Sequence, residues 1–208
     1  MSISIEQKVL LHLLKESLTG SAERLPEQWL QEADWEDVFR EARSQAVILQ
    51  AYDAVGTYKQ WVPETVYQQW FQLSTKILRR NMQVQLAQNA LVQLLEENGL
   101  AYAILKGTSS ASYYPRPELR SLGDIDFLID MKQEQQVRRC LEQAGYETEG
   151  KDTDHHALYI RGKVPHEMHF QPAGVPDGAA GVRFSQYLED LQISLLSPHH
   201  LPFPSIRM

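Results

Sequence analysis

Asp124 and Asp126 stand one residue apart, a Gly107-Thr108 pair precedes them, and Glu167 follows well downstream in an apolar segment. In a strand, alternate side chains point the same way, so a strand over Asp124 to Asp130 puts both aspartates on one face. Two carboxylates so placed could hold one or two Mg²⁺, and Glu167, within Lys163 to Gln171, could bring a third from a neighbouring strand. This is the layout of metal-assisted phosphoryl transfer. An Asp-x-Asp pair is commonly no more than a solvated strand end, but the surrounding residues argue otherwise. Ile125, Phe127 and Ile129 form one face and Asp124, Asp126, Leu128 and Asp130 the other. Close like charges on a half-buried strand are costly unless something cationic offsets them, and a metal is the simplest candidate.

The ordered set Leu105-Lys-Gly-Thr, Tyr113-Tyr-Pro-Arg-Pro, Arg120, Asp124-Ile-Asp and His166-Glu-Met-His-Phe resembles the poorly characterised nucleotidyltransferase family of the polymerase-beta-like superfamily. The likeness covers roughly 100–171, and the set is more specific than Asp-x-Asp alone. It implies that Gly107 and Thr108 hold the triphosphate of a nucleotide at a helix start. Asp124 and Asp126 match the metal pair and Glu167 the third carboxylate, a metal ligand or the base on the attacking hydroxyl. The implied cofactor is Mg²⁺, with Mn²⁺ able to replace it, and the implied substrate is a nucleoside triphosphate. Relatives of this kind continue into a further helical region, so an end at His199-His-Leu-Pro-Phe-Pro-Ser-Ile-Arg-Met is expected to leave part of an acceptor site missing.

Lys106 and Arg120 lie within the motif and are candidates for phosphate contact; the plain alternatives are a snorkelling lysine and a loop-ordering surface arginine. If 164–171 is a strand, Glu167 and His169 share a face, so His169 lines the site, while His166 and Phe170 face away. The spacing of His155, His156, His166 and His169 matches no strong zinc signature. Three functions follow. Transfer of a nucleoside monophosphate to an unidentified small-molecule or protein hydroxyl, with pyrophosphate release, accounts for most of these residues. A non-catalytic nucleotide-binding or protein-interaction module with the same fold is the alternative. A metal-dependent phosphohydrolase would use the carboxylates but not the Gly-Thr turn.

These residues need a scaffold. Val9, Leu10, Leu13 and Leu14, then Trp35, Val38 and Phe39, recur at helical spacing before a helix over Ala46 to Val55. A further periodic stretch begins at Pro63, runs through Trp70, Ile77 and Leu91, and stops at Asn98-Gly99, as one long helix or two nearly continuous ones. Strands are expected over Leu100–Leu105, Ile125–Ile129, Tyr146–Glu149, His156–Arg161 and Val164–Phe170, with helices over Gly107–Tyr114 and Gln133–Ala144 and a stop at Gly145. The expected architecture is α+β, a helical N-terminal half packed on a small mixed-sheet, nucleotidyltransferase-like domain. The expected divisions are a helical region at 1–99, the α+β domain at 100–195 and a Pro/His-containing tail at 196–208.

With 208 residues, 43% hydrophobic and 23% charged, the chain can build a sizeable core. A net charge of −7 argues against a broad nucleic-acid surface, so a small-molecule or protein acceptor is favoured. Cys140 is the sole cysteine, which leaves no internal disulfide or cysteine-based zinc site. No signal-like or membrane-length apolar run is present, and a cytoplasmic location is expected.

Overall fold

A computed structural model describes residues 3–20, 24–153, 155–170, 178–183 and 186. The tail at 196–208, with His199 and His200, lies outside the described residues, as does Gln171. The architecture is α+β. The described residues of 3–82 and 111–122 form one compact unit, and those of 83–110 and from 123 onward form a second.

Helices dominate the first unit: α1 (Ile5–Thr19), α2 (Glu27–Glu32), α3 (Trp35–Ser44), α4 (Ile48–Val55) and the start of α5 (Glu64–Glu97). Local sequence sets their ends. Ser4 and Gln7 form a reciprocal capping box before α1, and the Asp34 carboxylate accepts from the backbone N–H groups of Glu36 and Asp37 at the start of α3. Val9, Leu13, Val38, Ala51, Val55 and Trp70 are buried in one apolar cluster. The expected helix over Ala46 to Val55 begins later, at Ile48. Ala46 takes a left-handed φ of 56°, and the N–H groups of Ala46 and Val47 donate to the carbonyls of Arg43 and Ala42, which ends α3 in a Schellman turn. Alanine replaces the usual glycine there, so the stop is not written in the sequence.

Helix α5 is continuous over 34 residues. It ends as Asn98-Gly99 predicts: Gly99 has φ 63°, its N–H donates to the Glu96 carbonyl, and the Leu100 N–H donates to that of Leu95. In the first unit Asn81, on α5, fastens the 118–122 loop. Its Nδ2 donates to the carbonyls of Glu118 (3.0 Å) and Arg120 (2.8 Å), while its Oδ1 accepts from the Leu122 N–H at 2.9 Å.

The second unit contains a five-stranded mixed sheet of β1 (Tyr102–Leu105), β2 (Ile125–Ile129), β3 (Glu147–Thr148), β4 (His156–Arg161) and β5 (Val164–His169), in the order β1-β2-β5-β4-β3. Only β2 and β5 pair in parallel. A short helix, α6 (Gly107–Ala111), and α7 (Glu134–Gln143) complete it. Helix α6 stops at Ala111, before the expected Tyr114, and a turn follows in which the Tyr114 N–H donates to the Ala111 carbonyl at 2.9 Å. One sheet face carries Ile125, Phe127, Ile129, Met168, Ala157 and Tyr159, all buried. Helix α7 lies against that face, and its Arg138 Nη1 donates to the Tyr159 hydroxyl at 3.2 Å. His166 is on the same face, fully buried, its ring edge-on to Tyr146 at 4.9 Å. Neither of its ring nitrogens has a hydrogen bond of ordinary geometry, and the Val164 backbone compensates only in part.

Replacing Asn81 by Leu removes three hydrogen bonds at once and leaves two carbonyls and one N–H to find new partners. We expect a loss of about 2 kcal/mol in urea unfolding, with an unchanged far-UV spectrum. Burial pushes the His166 imidazole down from 6.5 to about 4. Because the folded protein then binds fewer protons than the unfolded chain between these values, the contribution of neutral His166 is complete above pH 6.5 and is lost as pH falls toward 4. By pH 4.5 this amounts to about 2 to 3 kcal/mol. His166→Phe, measured beside the native chain, should lose that part of the acid dependence; identical pH profiles would show that the ring is not buried neutral.

Candidate active site

The parallel pairing of β2 with β5 sets Asp126 opposite Glu167 and Leu128 opposite His169. Residues opposite one another share a face, so Asp126, Glu167 and His169 all project to the side away from α7. The antiparallel pairing of β1 with β2 sets Leu105 opposite Asp126, which brings the following Lys106 to the same place. Lys106 and Gly107 both have φ of 42° and turn the chain sharply into α6. Glycine adopts this backbone freely, whereas for Lys106 it costs about 1 kcal/mol. A side chain at 107 would have ordinary room, with its Cβ 3.9 Å from the Asp124 carbonyl oxygen, so conformation and not space calls for glycine.

Asp126 is the centre of the cluster and is only 3% exposed. Its Oδ1 accepts two bonds, from Lys106 Nζ at 2.8 Å and from His169 Nε2 at 2.9 Å. Burial pushes the Asp126 carboxyl up, but the His169 and Lys106 bonds to its charged form outweigh that and hold it below its ordinary value. In turn the bond to Asp126 raises the Lys106 ammonium, with smaller contributions from the charges of Glu167 and Asp124. Lys106 is 63% exposed, so its pair with Asp126 stabilises by about 1 kcal/mol at most, and the buried His169 carries more of the compensation.

A carboxylate can only accept, so His169 donates from Nε2, and its Nδ1 is buried without a hydrogen-bond partner among the described residues. His169 Nε2 is also 3.5 Å from Glu167 Oε2. The His156 ring lies 5.6 Å from that of His169 and is held through Thr153 Oγ1, 3.2 Å from its Nδ1. Among the described residues, Asp126, Glu167 and His169 offer ligand atoms within 4.8 Å of one another, a set that could hold a metal ion. Two carboxylate oxygens suit a hard cation such as Mg²⁺ or Mn²⁺; His169 would ligate through Nε2 only after giving up its bond to Asp126.

The structure thus gathers Asp126, Glu167, His169 and Lys106. Asp124 precedes β2, half-buried and close enough to act on the Lys106 charge, but it is not one of the converging three. The Thr108 hydroxyl donates to Gln88 Oε1 of α5 at 2.7 Å. Arg120 belongs to the first unit, where its carbonyl accepts from Asn81 and its Nη1 lies 3.5 Å from the Ser121 carbonyl. Sequence reasoning did not single out Gln88 or assign His156 a place beside His169. A signal for Gln88 exists: Ser74, Asn81 and Gln88 are buried polar residues seven apart on α5. Nothing local marks His156, which reaches His169 only through the pairing of β4 with β5.

Lys106→Met and His169→Leu should each raise the Asp126 pKa, because each removes a bond to the ionised form. Carboxyl carbon shifts followed through a pH titration read this directly, and an unmoved Asp126 in both variants would refute the arrangement.

No curated protein and no solved structure matches the chain. A family model described as "Uncharacterised nucleotidyltransferase" matches residues 31–200, which include every residue of this cluster. The chain therefore belongs to the uncharacterised nucleotidyltransferase family.

Proposed function

We propose that the protein transfers a nucleoside monophosphate from a nucleoside triphosphate to a hydroxyl of a small molecule or protein. The observation that carries this reading is the pair Asp126 and Glu167, set side by side across the parallel β2–β5 junction with His169 behind them. Family membership supports the reaction class. In the reaction an acceptor oxygen forms a bond to the α-phosphorus, the bond from that phosphorus to the bridging oxygen breaks, and pyrophosphate leaves with the electron pair. The acceptor proton passes to a base, for which Glu167 is our assignment.

Asp126 and Glu167, with Asp124 at the edge, would hold a divalent ion, Mg²⁺ or Mn²⁺. Such an ion supplies charge neutralisation at the reacting phosphate. His169 fixes the Asp126 carboxylate through Nε2 and thereby orients it. Lys106, largely in water, is free to exchange Asp126 for a phosphate oxygen. Gly107 lets the backbone turn tightly at the start of α6, where Thr108 and the exposed end of the turn would meet the triphosphate. Arg120 is a further candidate for phosphate contact. The acceptor is left open; the net charge of −7 disfavours nucleic acid.

One feature favours a second reading. Lys106 and His169 together already compensate Asp126 with protein groups alone, as a nucleotide-binding or interaction module without turnover would require.

Calorimetric titration of each nucleoside triphosphate with and without Mg²⁺, followed by a pyrophosphate-release screen over hydroxyl acceptors, separates the two. Transfer predicts metal-dependent binding in the native chain and acceptor-dependent pyrophosphate release that Asp126→Asn or Glu167→Gln lowers by about a thousandfold. Metal-dependent binding without release for any acceptor favours the module. No binding to a folded native chain defeats transfer and nucleotide binding alike and leaves the interaction module.

A further inference from the structure

Val84, Gln88, Leu91 and Leu95 follow one another at helical spacing on α5, and all are buried. Gln88, 8% exposed, is the one amide in this otherwise apolar row. A buried amide has a carbonyl oxygen and two N–H groups to satisfy, and each one left unmade is costly. The oxygen is satisfied: Gln88 Oε1 accepts from the Thr108 hydroxyl at 2.7 Å. Its Nε2 has no hydrogen-bond partner among the described residues and, unlike the sealed Oε1 of Gln50, keeps an opening to solvent. Two donors are thus left over at the edge of a buried side chain.

The same bond limits what Thr108 can do. A hydroxyl has one proton, and that of Thr108 is committed to Gln88, so toward a ligand it presents lone pairs alone. Phosphate oxygens are acceptors too, and two acceptors do not bond. The phosphate contact expected of the Thr108 side chain therefore needs another donor. The amide supplies it: nitrogen and oxygen of one carboxamide lie about 2.2 Å apart, so Gln88 Nε2 is no more than about 5 Å from the Thr108 hydroxyl oxygen. Thr108 in turn follows Lys106-Gly107, and the Lys106 ammonium bonds the Asp126 carboxylate in the same unit.

We infer that Gln88 is the side chain that donates to a phosphate oxygen of the bound nucleotide, with Thr108 as its positioning residue. The Thr108 bond decides which end of the amide is used by the protein and which is left for the ligand. The inference rests on the nucleotide site proposed above. It adds to that site a residue of α5, outside the 100–171 segment that carries the family likeness.

The test uses the full chain with ATP, GTP, CTP and UTP in the presence of Mg²⁺, and the matching nucleosides as controls. In ¹H–¹⁵N spectra the Nε2 proton signals, assigned through the Gln88 side chain, should move on saturation with the triphosphate that binds most tightly and stay in place with its nucleoside. Gln88→Met should weaken triphosphate binding in calorimetry by about tenfold or more, with nucleoside binding unchanged and the melting temperature not lowered. Gln88→Glu, which still accepts from Thr108 but donates nothing, should weaken it at least as much. Thr108→Val should weaken it by about threefold, and Thr108→Ser should restore it. Unmoved Gln88 signals at saturation, or native affinity in Gln88→Met, would overturn the assignment. So would a larger loss in Thr108→Val than in Gln88→Met, which marks the hydroxyl as the donor. Absence of binding of every triphosphate by the folded native chain defeats the nucleotide reading itself, and the assignment falls with it.

Discussion

A carboxylate buried to 3% exposure is the constraint around which the sheet unit is arranged. Asp126 cannot remain ionised in an apolar strand without compensation, and the compensation comes from two separate parts of the chain. His169 arrives through the parallel partner β5, two residues beyond the position opposite Asp126. Lys106 arrives from the end of the antiparallel partner β1, turned in by two consecutive left-handed residues. Remove either pairing and the carboxylate loses a partner. The strand order, which puts β2 between β1 and β5, is thus also the order that makes a buried acid tolerable.

The two faces of this sheet have different duties. Toward α7, alternate residues of β2, β4 and β5 are apolar and buried, with His166 and the exposed Arg161 at the end of β4 the exceptions. On the opposite face the same strands present Asp126 and His169, both buried, and Glu167 and His156, partly open to water. An alternation of period two therefore separates packing from chemistry within each strand. A one-residue slip of β5 would exchange His169 for Met168 and turn Glu167 into the core, so the buried Met168 and Tyr159 hold the register that the chemistry requires.

Helix α5 combines apolar packing with specific polar duty. Trp70, Val84, Leu91 and Leu95 are buried along it, while Ser74, Asn81 and Gln88 are buried polar residues seven apart. Asn81 satisfies three backbone groups of the 118–122 loop, and Gln88 accepts from Thr108 beside the candidate site. Buried amides of this kind stabilise only when paired, so each ties its segment to a defined place on the helix.

Much of this was legible from residue order. The long helix, its stop at Gly99, the four longer strands and the common face of Glu167 and His169 follow from periodicity, capping and alternation, which are local properties of the backbone. The family signature, too, lies in short segments that a sequence displays directly. Which strands become neighbours is a different matter. The parallel meeting of β2 and β5, the approach of Lys106 to Asp126, the occupation of the Thr108 hydroxyl by Gln88 and the nearness of His156 to His169 all join residues distant along the chain. Such contacts arise from the packing of whole elements, and no local pattern encodes them. The same holds for the left-handed turns at Ala46 and Lys106, where a residue with a side chain accepts a strained backbone because the structure on either side demands it.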